Sequence, residues 1–500
     1  MSVDVIATDE QRRIADLAAR TKESIIVEAL AGSGKTWMLT EILKVLRQPT
    51  ALVLAFNKRI ADEMARKKPT LPRTRIAHVR TLHSAGLWIL KHSYPSLTVD
   101  RHESERLVAE ASPKKTLMRV RWAAIKLMRL AKDLQHSEVL DASVAFRLGI
   151  DFGAFDKLEG GHEIEAATEI TQKAYTASLD VHAREHIDFS DMGWLPLVLN
   201  LQPPHRYQAL MVDEAQDVNE NQLEMIDRIV APGGRVIACG DRYQSIYGWR
   251  GATPEETWSV LGQRYKPHSM PLTMTWRCDR QIVTAACDLV PSLRARPGAG
   301  EGVVENISSN EFLSNIENTE TDTFVLSRTN AELLRVAFEM WKRQVPFNTT
   351  MESDDNETIG PLYKIVEKLL KQGEPSFARN VASWYMTEKM KAEQSGSPTF
   401  TQRIDDQHTM LQHCMRYVPR PSEILRALDA IFSFDNGCWI TLSTVHKAKG
   451  LEASHVYLLR ETFARYQKKP APESEIPQEE LNIEYVAITR AKHRLVWVHG

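Results

Sequence analysis

Short, wholly apolar runs punctuate this chain, and longer amphipathic stretches separate them. Ile25-Ile26-Val27, Ala209-Leu210-Met211-Val212 and Val236-Ile237-Ala238-Cys239 are runs of this kind, and each reads as a buried strand. Trp37 to Leu46 reads as a helix following the first of them. Further along, Phe324-Val325-Leu326, Trp439-Ile440-Thr441-Leu442 and the segment from Arg494 to Val498 predict three more strands. Strands that alternate with helical stretches over 500 residues place the chain in the α/β class, with room for three or four domains.

The first strand and the first helix are joined by Ala29-Leu30-Ala31-Gly32-Ser33-Gly34-Lys35-Thr36. Strand, Gly-rich loop, Lys-Thr and helix are the ingredients of a phosphate-binding loop, although Ala29 stands where the usual pattern has Gly. The glycines let backbone N–H groups close around phosphate oxygens, and the helix N-terminus adds partial positive charge. Lys35 would reach the β- and γ-phosphates of ATP, and the Thr36 hydroxyl would hold Mg²⁺. A second strand ends in Asp213-Glu214-Ala215-Gln216-Asp217. Asp213 would share the Mg²⁺ with Thr36, and Glu214 would orient and deprotonate an attacking water.

Taken in order, these and later segments resemble the motifs of the UvrD/Rep/PcrA group of superfamily 1A helicases. Asp213 to Asp217 resembles motif II; Gly240-Asp241-Arg242-Tyr243-Gln244-Ser245-Ile246-Tyr247-Gly248-Trp249-Arg250-Gly251-Ala252 resembles motif III. Thr444-Val445-His446-Lys447-Ala448-Lys449-Gly450-Leu451-Glu452 and Tyr485-Val486-Ala487-Ile488-Thr489-Arg490-Ala491-Lys492 resemble motifs V and VI. Gln11 matches the adenine-reading glutamine, Ala55-Phe56-Asn57-Lys58 motif Ia, Thr81-Leu82-His83-Ser84 motif Ib and Ile187 to Asp191 motif Ic. The resemblance implies two RecA-like parallel-sheet P-loop domains with mostly helical insertions. Residues 1–87 and 186–268 would form the first, interrupted by a helical insertion at 88–185. Residues 269–350 and 436–500 would form the second, interrupted at 351–435 by a reduced 2B-like helical insertion.

The same resemblance implies roles. Gln244 would sense the γ-phosphate, Arg277 and Arg490 would stabilise its transferring charge, and Glu452 would touch the ribose. Trp276 stands where the family usually has the adenine-stacking Tyr, and its ring also offers a flat π face. Trp37 replaces an Arg frequent after the loop threonine. On the DNA side, Phe56, Tyr247 and Trp249 would stack on bases, with Asn57, Thr81, His83, Arg250, Thr444 and His446 near the strand. The implied activity is ATP- and Mg²⁺-dependent movement 3′ to 5′ on single-stranded DNA with unwinding of tailed duplex. A translocase that displaces bound proteins, a motor subunit needing a partner, and a P-loop ATPase acting as a regulatory scaffold without nucleic acid are the alternatives. Replication or repair proteins would be partners, and RNA stays open as a track. The reduced insertion resembles compact phage helicases and the helicase part of F-box DNA helicases.

Composition adds limits. Sixty-three basic and 65 acidic residues leave a net charge of −2, so basic charge for a nucleic acid must be local. One candidate is Lys114, Lys115, Arg119, Arg121, Lys126, Arg129 and Lys132, a basic amphipathic helix that reads equally as a solvated face or a DNA contact. The five cysteines form no Cys-x-x-Cys pair, so no structural metal is expected and the thiols read as free in a reducing compartment. Neither a signal pattern nor a membrane-length apolar run is present, which reads as cytoplasmic, or host-cytoplasmic for a phage protein, associated with the nucleoid through DNA.

Overall fold

The computed structural model describes residues 7–56, 58–67, 76–134, 137–155, 158, 160–246, 254–351, 359–395, 398–433, 438–467 and 472–500. The chain divides into two compact units, Met1–Thr273 and Met274–Gly500.

The first unit contains β1 (Ile25–Ala29), β2 (Thr50–Ala55), β3 (Ile76–Thr81), β4 (Thr98–Val99), β5 (His186–Ile187), β6 (Tyr207–Val212), β7 (Val230–Gly240) and β8 (His268–Leu272). Six of these make one sheet in the order β3-β2-β6-β7-β1-β8, with every neighbouring pair parallel. A parallel sheet needs cover on both faces, which is why β1 and β6 are almost continuously apolar. One face packs Ile25, Val27, Val53 and Met211 against the helices Asp9–Arg20 and Lys35–Val45. The other packs Leu52, Leu54, Leu210 and Val236 against the helices Leu82–Ser93 and Glu220–Ile229. The edge strand β8 continues this sheet beyond residue 268: Val27 is paired with Met270 and Ala29 with Leu272.

A helical segment between β3 and β6 has its own core, including Leu107, Val120, Leu127, Ala167 and Tyr175. The short parallel pair β4–β5 brings its start and end together at Thr98↔His186. A buried charge cluster anchors it to the helix Phe189–Val198. Lys132 meets Asp191 at 2.7 Å, Asp191 meets Arg184 at 2.7 Å, and Arg184 meets Glu103 at 2.8 Å. Both Lys132 and Asp191 side chains are fully buried. Burial works against the Asp191 charge, but Lys132 and Arg184 outweigh it and hold its carboxyl below the ordinary range.

The second unit contains β9 (Met274–Thr275), β10 (Arg294–Ala295), β11 (Val303–Ser308), β12 (Thr323–Ser327), β13 (Asn348–Thr349), β14 (Ile440–Thr444), β15 (Ala453–Leu459) and β16 (Ala491–His499). Its six-stranded sheet has the order β11-β16-β15-β12-β14-β13, again parallel throughout. The helices Ile359–Leu370, Pro398–Tyr417 and Ile424–Phe432 share one continuous core with this sheet: Val366, Met410 and Leu428 belong to the same cluster as Val325, Leu442 and Val496. Among the described residues no helix is long and apolar enough to cross a membrane.

Candidate nucleotide site and nucleic-acid face

In a parallel α/β sheet, loops at the carboxyl ends of the strands form the ligand crevice. Five such ends, those of β1, β2, β3, β6 and β7, carry candidate residues of the first unit. The loop after β1 leads into the helix Lys35–Val45, whose N-cap is Gly34 at φ 90°. Gly32 is also left-handed, at φ 68°, so the turn needs residues without a Cβ at both places. Ala29, Leu30, Ala31 and Ser33 are buried beneath this turn. Gln11 is buried as well; it closes a capping box with Thr8, and its Nε2 donates to the Ser33 carbonyl at 3.4 Å. The adenine-reading candidate therefore touches the loop through its own side chain.

Lys35 extends along this loop. Its ammonium lies 3.5 Å from the Ala29 carbonyl and 4.0 Å from Glu214 Oε2, both long for a buried cation. Burial opposes its charge, but Glu214, Asp241 and Asp213 outweigh it and keep the pKa above the usual lysine range. The Ser33 hydroxyl is buried with no hydrogen-bond partner among the described residues. A loop whose buried hydroxyl and ammonium are under-partnered suits an anion rich in oxygen acceptors. Thr36 stands one residue into the helix.

Asp213 follows β6 and is buried; its backbone N–H bonds the Leu54 carbonyl of β2 at 3.0 Å. Glu214 takes a left-handed backbone, φ 50°, uncommon for a residue with a Cβ. Its N–H donates to Asp213 Oδ1 at 3.0 Å. After β7 comes Asp241, fully buried, with its carboxyl pushed up by burial. Gln244 is buried too, and its Nε2 donates to Asp241 Oδ2 at 2.7 Å. Lys35, Asp213, Glu214 and Gln244 thus gather at the carboxyl ends of β1, β6 and β7, joined by Asp241. The motif letters contain Asp241, yet only the fold shows that it holds Gln244.

The remaining nucleotide candidates lie in the second unit. Trp276 follows β9 and is 37% exposed, so part of its surface is open to solvent. Arg277 donates from Nε to Glu452 Oε2 at 2.6 Å and to the Thr489 carbonyl at 2.9 Å. Lys492 meets the other Glu452 oxygen at 3.0 Å. Burial alone would raise the Glu452 pKa, but these two cations hold it below the usual range. Arg490 is placed differently. It is 1% exposed, and its guanidinium donates to the Val486 and Leu451 carbonyls, each at 2.9 Å. In this arrangement it braces its own unit.

Nucleic-acid candidates occupy neighbouring strand ends. Phe56 follows β2, and Thr81 ends β3 and caps the helix Leu82–Ser93 through Ser84 N–H at 3.2 Å. His83 is exposed and meets Phe189 edge-on, with ring centroids 6.2 Å apart. Phe189 is 58% exposed and was not singled out by its motif alone. In the second unit Thr444 is buried and caps the turn Val445–Ala448, which carries the half-buried His446. Asn57, Tyr247, Trp249 and Arg250 lie outside the described residues. The basic helix, Met118–Leu134, has much of its charge committed internally. Arg119 pairs with Glu163, Arg129 with Glu105 and Lys132 with Asp191, while Lys126 donates to the Gly153 carbonyl. Lys114 and Lys115 are exposed beside Leu117, Met118 and Trp122.

Two parallel-sheet units, the first with a phosphate-type loop and an Asp-Glu strand end, define a P-loop nucleotide-binding protein of the two-unit kind. Comparison with known families is more specific. The UvrD/REP helicase N-terminal domain matches residues 7–261, and the UvrD-like helicase C-terminal domain matches residues 376–499. The chain belongs to the UvrD/Rep helicase family. Among curated relatives it is 25% identical to the ATP-dependent DNA helicase PcrA of Leuconostoc citreum, over 70% of this chain and 50% of that protein. It is 26% identical to F-box DNA helicase protein 1 of Schizosaccharomyces pombe, over 98% of this chain and 57% of that protein. Against PcrA of Staphylococcus aureus strain Mu50 the figures are 23%, 57% and 40%. The chain spans about half the length of the first two relatives.

Proposed function

We propose that the protein is an ATP-driven DNA helicase and translocase, moving 3′ to 5′ on single-stranded DNA and separating tailed duplexes. The observation that carries the reading is the convergence of Lys35, Asp213, Glu214 and Gln244 at the carboxyl ends of β1, β6 and β7, over a loop whose buried Ser33 hydroxyl has no partner among the described residues. Glu214 takes a proton from water as the water oxygen bonds the γ-phosphorus and the bond to the β,γ-bridging oxygen breaks, releasing ADP and phosphate. Lys35 neutralises the β- and γ-oxygens. Thr36 and Asp213 offer a hydroxyl and a carboxylate, an all-oxygen donor set that fits Mg²⁺. When bound, Mg²⁺ would offset phosphate charge. Trp276 stacks on adenine, Glu452 meets the ribose, and Arg277 and Arg490 supply positive charge to the γ-phosphate. Phe56, Thr81, His83, Thr444 and His446 contact the strand, together with Asn57, Tyr247, Trp249 and Arg250.

The test is ATP turnover with and without single-stranded DNA, beside strand displacement from 3′-tailed and 5′-tailed duplexes. Stimulated turnover and displacement from the 3′ tail alone are expected. Stimulation without displacement would favour a translocase that strips proteins from the strand, or a motor needing a partner. Turnover indifferent to DNA would overturn the reading.

A further inference from the structure

Gln216 is fully buried in the single turn Ala215–Asp217 that follows the Asp-Glu pair. Its amide orientation is dictated by its neighbours. The Asp241 backbone N–H can only donate, and it donates to Gln216 Oε1 at 2.9 Å. Nε2 therefore points the other way, where it donates to Glu214 Oε2 at 2.5 Å. A longer contact, 3.5 Å, reaches Asp217 Oδ2. Room for this arrangement exists because residue 240 is glycine: a Cβ there would stand 2.4 Å from Gln216 Oε1. Asp241 in turn holds Gln244 at 2.7 Å. A continuous hydrogen-bonded path runs from Glu214 through Gln216 and Asp241 to Gln244.

We propose that Gln216 is the positioning residue for Glu214: it aims one carboxylate oxygen at the attacking water and links that aim to Gln244. The inference rests on the reading of Glu214 as the base. Glu214 leaves a left-handed backbone position, φ 50°, so its side chain needs a fixed external partner to hold one direction. Misplacing a reacting group by about 1 Å costs on the order of 100-fold in rate.

Two variants test this in the full chain. Gln216→Glu keeps an acceptor for the Asp241 N–H but replaces the neutral amide donor to Glu214 with a second carboxyl; Gln216→Met removes both bonds at similar volume. Each should lower kcat by roughly 10- to 100-fold, with affinity for a fluorescent ATP analogue within about 3-fold of the parent, a change of well under one tenfold step. The decisive measurement is the single-turnover rate in a Glu214→Gln background. There, adding Gln216→Met should change the residual rate by less than about 2-fold, because residues that act as a unit are not additive. An equal loss in both backgrounds, or lost nucleotide affinity with kcat intact, would overturn the proposal. Normal turnover by Glu214→Gln alone would instead remove Glu214 as the base, and Gln216 with it.

Discussion

Trp276 is the residue whose contribution can be isolated most cleanly. It is 37% exposed, so its ring is not part of the core, and its neighbour Arg277 is already fixed by Glu452 and the Thr489 carbonyl. Aromatic stacking contributes about 0.5–1.5 kcal/mol. Trp276→Ala should therefore raise the KM for ATP by roughly 3- to 10-fold with kcat little changed, since the stack is equal in ground and transition states. Trp276→Tyr should restore the KM. A fall in kcat at unchanged KM would detach the ring from adenine. At this scale the chain was legible where a residue's place follows from its own stretch of sequence: Lys35, Asp213 and Glu214 lie together at the carboxyl ends of β1 and β6. It was less legible where a role depends on a partner distant in sequence. Arg490 is caught by carbonyls of its own unit, and Gln216 gains its orientation from an N–H 25 residues away.

Elements reveal what charge patterns along one helix hide. The helix Met118–Leu134 looks basic because its acids are elsewhere: Glu163 is 44 residues from Arg119, and Asp191 is 59 from Lys132. The Lys132–Asp191 pair is fully buried, so removing Lys132 leaves Asp191 to share the Arg184 guanidinium with Glu103, and breaking a buried pair costs about 3 kcal/mol or more. Lys132→Met should lower the unfolding free energy of the first unit by that amount, while Lys114→Gln should not; equal small effects would mean the pair is not structural. In the second unit, Asp406 accepts the Ala331 N–H at 3.2 Å and so caps the helix Asn330–Lys342, whose N-cap Thr329 makes no side-chain cap of its own. Burial pushes Asp406 up to about 6, against the backbone bonds from Ala331 and Asn330 and the nearby Arg328 charge, which pull it down. A raised folded pKa means that this group's contribution is full below pH 4 and is lost as pH rises through 6. Asp406→Asn should keep the cap and remove that loss, flattening the pH 4–6 stability slope by on the order of 2 kcal/mol relative to the parent. Parallel slopes in the two proteins would show that Asp406 titrates normally.

At the scale of the whole molecule, the boundary between the two units, after Thr273, is the informative one. Strands such as β1 and β6 are apolar because both faces are covered, and that is what makes them readable. Strand β8, His-Ser-Met-Pro-Leu, lies at the sheet edge, where polar residues and proline are tolerated, and its sequence carries little strand signal. Yet β8 borders the phosphate-type loop: it flanks all of β1, and its Leu272 carbonyl accepts the Leu30 N–H at 3.0 Å. Two truncations separate the consequences. Residues 1–273 keep the whole first sheet together with Lys35, Asp213, Glu214 and Gln244, and should fold and bind ATP. They lack Arg277 and Arg490, and a missing arginine at the γ-phosphate lowers turnover by roughly a thousandfold or more. Residues 1–267 lose β8 as well, leaving β1 unpaired on one side and the Leu30 N–H without its acceptor, so nucleotide binding should fail. Full turnover by the 1–273 fragment would remove both arginines from the chemistry. Undiminished binding by the 1–267 fragment would show that the loop is held by β7 and the helix after it, without the edge strand.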